Sequence, residues 1–188
     1  MQSTCFDGAV LKYSLGDFKG AKKELVKLQK ENQENSEYYY LLGLVLHKLG
    51  NTSESIPIFT KCINLKPNLH FTAYGYFRRG ISYLDVGSFK NSEHDFKHSI
   101  QLFPDFENFI PYAHLYLGIS KIYLGDFDIA IIDLNMAINL TEKNPKPYIW
   151  RAYCSLMLND KNSSCKDLQK ALLLGADGVT ELLLKNCN

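Results

Sequence analysis

Two histidines stand four apart in the stretch EHDFKH, at His94 and His98. On a helix this spacing puts both imidazoles on one face, where they can share a metal ion. A metal needs further ligands, and the sequence fixes no third one. The HExxH arrangement of metalloproteases is absent. So are the nucleophile turn GxSxG, the phosphate-cradling P-loop and GxGxxG. Acidic residues read as scattered over surface helix positions, without the burial that would raise a carboxyl pKa for proton transfer. The expectation is a non-enzyme with no catalytic residues, no metal and no cofactor, and with the two histidines on an exposed helix face.

Other charged and thiol groups point the same way. Lys19, Lys22, Lys23, Lys27 and Lys30 form a basic strip, but Glu24, Glu31 and Glu34 interrupt it, as on a solvated face. The net charge is +1 over 188 residues. Such a balance lacks the concentrated basic surface that phosphate backbones require, so no nucleic-acid partner is expected. No apolar run approaches the roughly 20 residues of a membrane span, so no membrane insertion is expected. The opening MQSTCFDGAV has no basic segment followed by an apolar one, as a signal peptide would. The five cysteines form no CxxC pair, and their odd number argues against a complete disulfide framework.

The elements that carry these residues repeat. LGDF occurs at Leu15–Phe18 and again at Leu124–Phe127. Aligned on it, five turn positions appear: Gly16, Gly50, Gly87, Gly125 and Asn159, separated by 34, 37, 38 and 34 residues. Seven residues before each stands a small residue: Ala9, Gly43, Gly80, Gly118 and Ala152. Another small residue follows each turn, at Ala21, Ser55, Ser92, Ala130 and Ser164, and four further on comes a large apolar one: Leu25, Phe59, Phe96, Leu134 and Leu168. The turn residue can take positive φ and end a helix; the Asp, Asn or Ser after it can cap the next. The first small position lets two helices approach, and the apolar residues form one helical stripe. Pro67 and Pro104 are placed to stop second helices. Each unit therefore reads as helix A, turn, helix B.

This pattern resembles the tetratricopeptide repeat (TPR), a 34-residue helix–turn–helix, over nearly the whole chain. The resemblance implies an all-α fold, a right-handed TPR α-solenoid of antiparallel helix pairs, in a single domain spanning 1–188. The repeats fall at about 2–35, 36–72, 73–110, 111–144 and 145–177, with a capping helix over 178–187 that places Val179, Leu182 and Leu183 on one side. Expected helices are 3–14, 18–31, 36–49, 52–65, 71–86, 89–102, 107–124, 127–140, 146–158 and 161–174. Three departures are visible: Cys5 at an aromatic position, Glu142 where Pro would sit, and Asn159-Asp160-Lys161 in place of Gly-Asp-aromatic. The third and fourth A helices begin late and are expected to extend backward or bulge.

In TPR proteins the A helices line the concave side. The matching positions here are largely apolar and aromatic. Part of that set must be core between A helices. Tyr40, Leu44, Tyr74, Phe77, Ile81, Tyr112, Leu115, Tyr123 and Tyr153 are the expected partner-binding residues, with Tyr74, Phe77 and Tyr112 as hot spots. A tyrosine with an apolar face and polar tip suits a binding surface. TPR domains that grip a chaperone's C-terminal carboxylate carry Asn, Lys and Arg where this chain has Val10, Leu44, Phe77 and Ile81, so no such clamp is expected. The resemblance implies a non-catalytic protein-interaction module or scaffold that binds an apolar peptide or helix. The alternative is self-association, as a homodimer or larger homo-oligomer.

Cys165 and Cys187 stand eleven residues on either side of Ala176. A turn over 175–177 would run helix B of the fifth unit and the capping helix antiparallel and bring the two thiols opposite each other. They read either as a disulfide staple or as two reduced thiols packed as small apolar groups. A cytoplasmic location is the default expectation. A periplasmic or secreted one follows from a disulfide together with a removed signal segment.

Overall fold

The computed structural model describes residues 2–29, 31–66, 68–102 and 109–187; Pro67 and Pro104, the expected helix breakers, lie outside them. The chain divides into two compact units, Met1–Phe103 and Pro104–Asn188. The first holds α1 (Gln2–Ser14), α2 (Phe18–Leu28), α3 (Ser36–Lys48), α4 (Thr52–Asn64), α5 (Leu69–Asp85) and α6 (Phe89–Leu102). The second holds α7 (Ile110–Leu124), α8 (Phe127–Leu140), α9 (Pro145–Met157), α10 (Lys161–Leu173) and α11 (Val179–Cys187). Odd-numbered helices α1–α9 are the A helices, and each packs on the B helix that follows it. Within the first unit α3 also touches α1 and α5, and within the second α7 touches α9. Among the described residues there is no strand.

The turns follow from their residues. Gly16, Gly50, Gly87 and Gly125 all take φ between 77° and 88°. Asn159 takes the same role at φ 61°, which its short polar side chain tolerates. Asp17 and Asp160 then cap α2 and α10 by accepting from the Gly20 and Ser163 amides. The late third A helix does extend backward: α5 starts at Leu69, because Asn68 caps it by accepting from the Phe71 amide. The expected start of α7 at 107 lies outside the described residues, and its described helix begins at Ile110.

Each repeat is built on one seat. The large apolar residue of helix B drops onto the small residue of helix A. Leu25, Phe59, Phe96, Leu134 and Leu168 are at most 2% exposed. At Gly43 the fit leaves no room: a Cβ would lie 2.5 Å from the Phe59 ring. The second small residue of each repeat is fully buried in all five. In the first unit Ser55 and Ser82 use it to form a hydroxyl–hydroxyl hydrogen bond of 2.8 Å between successive repeats.

The acidic residues are not all on the surface, contrary to expectation. Asp95, Asp133 and Asp167 are 1%, 6% and 7% exposed. Each directly precedes the seated apolar residue, and Glu24 holds that place in the first repeat. A cation from the paired A helix meets each one. Arg79 grips Asp95 with Nε at 2.7 Å and Nη2 at 2.8 Å, and its Nη1 donates back to Thr60 on α4. Arg151 repeats this on Asp167, with Nη1 reaching Asn135 on α8. Lys121 and His114 share Asp133, and Lys12 meets Glu24 at 2.8 Å. Three of these pairs neutralise a buried carboxylate, while Glu24 is half-buried. They do not free a carboxyl for catalysis.

Helix α11 lies against α10, with Val179 1% exposed beside Ala152, Leu168 and Ala171. The Leu183 side chain lies outside the described residues. Cys165 and Cys187 stand at disulfide distance, with Cα atoms 5.6 Å apart. Cys62 and Cys154 are buried, and burial pushes their thiols up to about 12 and about 11, far from the thiolate form at neutral pH.

Burial pushes the Asp133 carboxyl up, but hydrogen bonds from His114 and Lys121 outweigh it and hold the group below its ordinary 3.8. Because the folded value is the lower one, this stabilisation is complete above that ordinary value and is lost as the pH falls through the lowered one. Asp133→Asn, which strands the Lys121 ammonium, is expected to cost about 3 kcal/mol at neutral pH. It should also flatten the loss of stability on acidification. Urea midpoints measured from pH 6 down to pH 3 check both.

Candidate functional site

In the first unit the A-helix face is an aromatic surface that also holds the Arg78 guanidinium. Tyr40 on α3 is the hub. Its ring centroid lies 5.8 Å from Phe71 and 6.3 Å from Tyr74, both on α5, and 6.2 Å from Phe59 beneath. Tyr40 and Tyr74 are half-buried, as are Leu44 and Ile81 on the same two helices. Burial pushes both tyrosine hydroxyls up, and the nearby Arg78 guanidinium pulls partly against it. At the far end of the face, His47 Nε2 and Asp85 Oδ2 are 2.8 Å apart and tie α3 to α5.

Phe77 is a correction. It was expected as a hot spot on the open face, but it is 6% exposed and packs edge-on against Phe96 at 5.6 Å. Leu115 in the second unit is likewise core, at 2% exposed. Both occupy a position that turns inward between neighbouring helices. Arg78, one residue past Phe77, was missed. Its type suits a binding surface, but the groove positions carried over from TPR proteins skip it.

In the second unit the expected tyrosines are open. Tyr112 and Tyr123 on α7 and Tyr153 on α9 are 48%, 54% and 43% exposed. Beside Tyr153 is an apolar cleft of about 140 Å³ formed by α9, α10 and α11, lined by Ile149, Trp150, Tyr153, Leu156, Leu168 and Leu182. The chain's only tryptophan stands edge-on to Tyr153 at 6.4 Å. Sequence reading placed Tyr153 here but not the cleft, which exists only because α11 folds back and supplies Leu182.

The remaining candidates lie on B helices. The His94 and His98 rings lie with centroids 4.1 Å apart, tilted by 32°, and His98 stacks on Tyr76 at 5.3 Å. The carboxylate nearest to His94, Asp95, is already taken by Arg79. Among the described residues no three or more His, Cys, Asp or Glu side chains gather as a metal site. Lys27 pairs with Glu24 at 3.1 Å, and Lys30 lies outside the described residues. No described helix is long and apolar enough to cross a membrane.

Helix pairs with a positive-φ turn and a small-on-large seat, in register five times, define a tetratricopeptide-repeat fold. Comparison with known proteins agrees. Residues 36–69 match the tetratricopeptide repeat family model. No curated protein sequence matches the chain. Among solved structures it is similar to MamA from Desulfovibrio magneticus RS-1 (17% identity, TM-score 0.82, covering 92% of this chain and 94% of that one). It is also similar to TTC0263, a thermophilic TPR protein of Thermus thermophilus (19%, 0.69, 99% and 97%). A third is YrrB, described as a TPR protein with an unusual peptide-binding site (14%, 0.78, 96% and 90%). At these identities the likeness establishes the fold: the chain adopts an all-α TPR fold.

The corrected surface makes a prediction. Phe77→Ala should lower stability by about 3 kcal/mol, because it empties a packed site. Tyr74→Ala, on the half-open face, should cost no more than about half as much. Paired urea titrations followed by helical circular dichroism measure the difference.

Proposed function

We propose that the protein is a non-catalytic interaction module that docks an apolar peptide or helical segment on the A-helix face of each unit. The observation that carries this is the exposure of the tyrosines. Tyr112, Tyr123 and Tyr153 leave large apolar rings half in water, where a folded chain with 46% apolar residues has ample core to hide them. The cleft beside Tyr153 supports the same reading. Its volume suits one aromatic or branched aliphatic side chain. Burying such an anchor contributes about 1.5–3 kcal/mol before ordering costs. TPR folds are in general interaction modules, and the peptide-binding site ascribed to YrrB lies on a fold of this kind.

A second reading, self-association, is favoured by a different observation. On α8, Ile129, Ile132, Met136 and Leu140 form an outward stripe, 42% to 62% exposed. Their spacing puts them along one side of the helix. Such a stripe suits an isologous contact with a second copy. The Cys165–Cys187 geometry supports a protein working where disulfides persist, over the default cytoplasmic expectation.

The docking reading is tested by pull-down from native extract. Wild type is run beside Tyr74→Glu/Tyr112→Glu/Tyr153→Glu, which spares the buried Phe77 and should keep the helical circular dichroism. A protein retained by wild type and lost by the variant is the expected result; equal recovery contradicts it. For the second reading, mass measured by light scattering should rise with concentration, and Ile132→Glu/Met136→Glu should abolish the rise. A mass independent of concentration contradicts self-association.

A further inference from the structure

The chain contains three arginines. Two are fully engaged. Arg79 and Arg151 are each held side-on by both oxygens of a buried aspartate, and each donates a third hydrogen bond to the preceding B helix. Arg78 is not. It has no carboxylate partner among the described residues. It lies close enough to the Tyr40 hydroxyl to lower its pKa, its guanidinium is 5.7 Å from the Phe77 ring, and its Nε is buried with no acceptor. Successive residues on a helix point about 100° apart. Arg79 therefore looks toward α6, while Arg78 shares a side of α5 with Tyr74, four residues before it, and Ile81, three after.

A half-buried cation with unmet hydrogen-bonding capacity, walled by aromatic rings, attracts an anion more strongly than the same group in water. Its charge selects among anions. A phosphate carries about −1.5 to −2 and is met by clusters of cations. A carboxylate carries one charge and has the bidentate geometry that the other two arginines already accept. A chain's terminal carboxylate is held in nests of several donors, whereas Arg78 stands between the aromatic groups of Tyr40 and Phe77.

We propose that Arg78 is a carboxylate-binding residue of the first unit. It takes an Asp or Glu side chain of the docked segment, while flanking apolar side chains of that segment cover Tyr40 and Tyr74. The inference rests on the docking reading above and names the partner's chemistry: an apolar segment with an acidic residue inside it. It differs from the carboxylate clamp of chaperone-binding TPR domains, whose cation positions are Phe77 and Ile81 in this chain.

The test uses the full chain and two random peptide libraries, one displayed with both peptide ends fused and one with free C-termini. Peptides selected from the first library should be rich in Asp or Glu at a fixed distance from apolar residues. They should lose tenfold or more in affinity to Arg78→Gln and less to Arg78→Lys. Circular dichroism confirms that both variants fold, and Arg78→Lys keeps the charge if the neutral variant does not. Apolar binders without acidic enrichment, bound equally by Arg78→Gln, would overturn the carboxylate assignment and leave docking intact. Acidic binders indifferent to Arg78→Gln would overturn the role of Arg78. Acidic dependence seen only with free C-termini would overturn the side-chain source. Failure of wild type to select any peptide would overturn the docking reading and this inference with it.

Discussion

Everything in this molecule depends on one contact: a large apolar side chain of helix B seated on a small residue of helix A. It recurs as Leu25 on Ala9, Phe59 on Gly43, Phe96 on Gly80, Leu134 on Gly118 and Leu168 on Ala152. Dispersion forces fall steeply with separation, so the contact stabilises only when the helices approach closely. Close approach demands the small residue, a tight reversal between the helices and a satisfied helix end. Those needs explain the positive φ at Gly16, Gly50, Gly87, Gly125 and Asn159 and the caps at Asp17 and Asp160.

The seat also explains the polar layer beside it. The residue before the seated one is carried under the A helix whether it is polar or not. In four repeats it is acidic and meets a cation from that helix, and in the second it is Ile58, packed against the core. The pairs with Arg79 and Arg151 go further, because each arginine also reaches the previous B helix and so links successive repeats inside its unit. A repeat contacts only its neighbours, so its coupling runs through interfaces of this kind.

Legibility from sequence followed the range of the interaction. Turn residues, small positions and seated residues act within one helix pair, at fixed spacing, and all were readable. The backward extension of α5 was one of two alternatives, and the Asn68 cap that decides it was not read. The buried acids were not readable either. Asp95 and Asp167 draw their cation from 16 residues earlier, Asp133 and Glu24 from 12, and the alternation hides the rule. Phe77 and Leu115 misled because their register position serves either the open face or the seam between helices, and only packing decides which. Tyr40, Tyr74, Tyr112, Tyr123 and Tyr153 were readable as surface candidates. The cleft under Tyr153 was not, since it needs α11 folded back to place Leu182.

On the docking proposal, the A helices are the working surface and the B helices are its support. Site-specific photocrosslinking in native extract tests this without knowing the partner. A benzophenone amino acid is placed at Tyr74 or Tyr153 on the A side, and at Lys90 or Lys97 on the B side, and adducts are resolved by mass. Discrete adducts from Tyr74 and Tyr153, and none from Lys90 or Lys97, are the predicted result. Adducts confined to the B-side positions would contradict it.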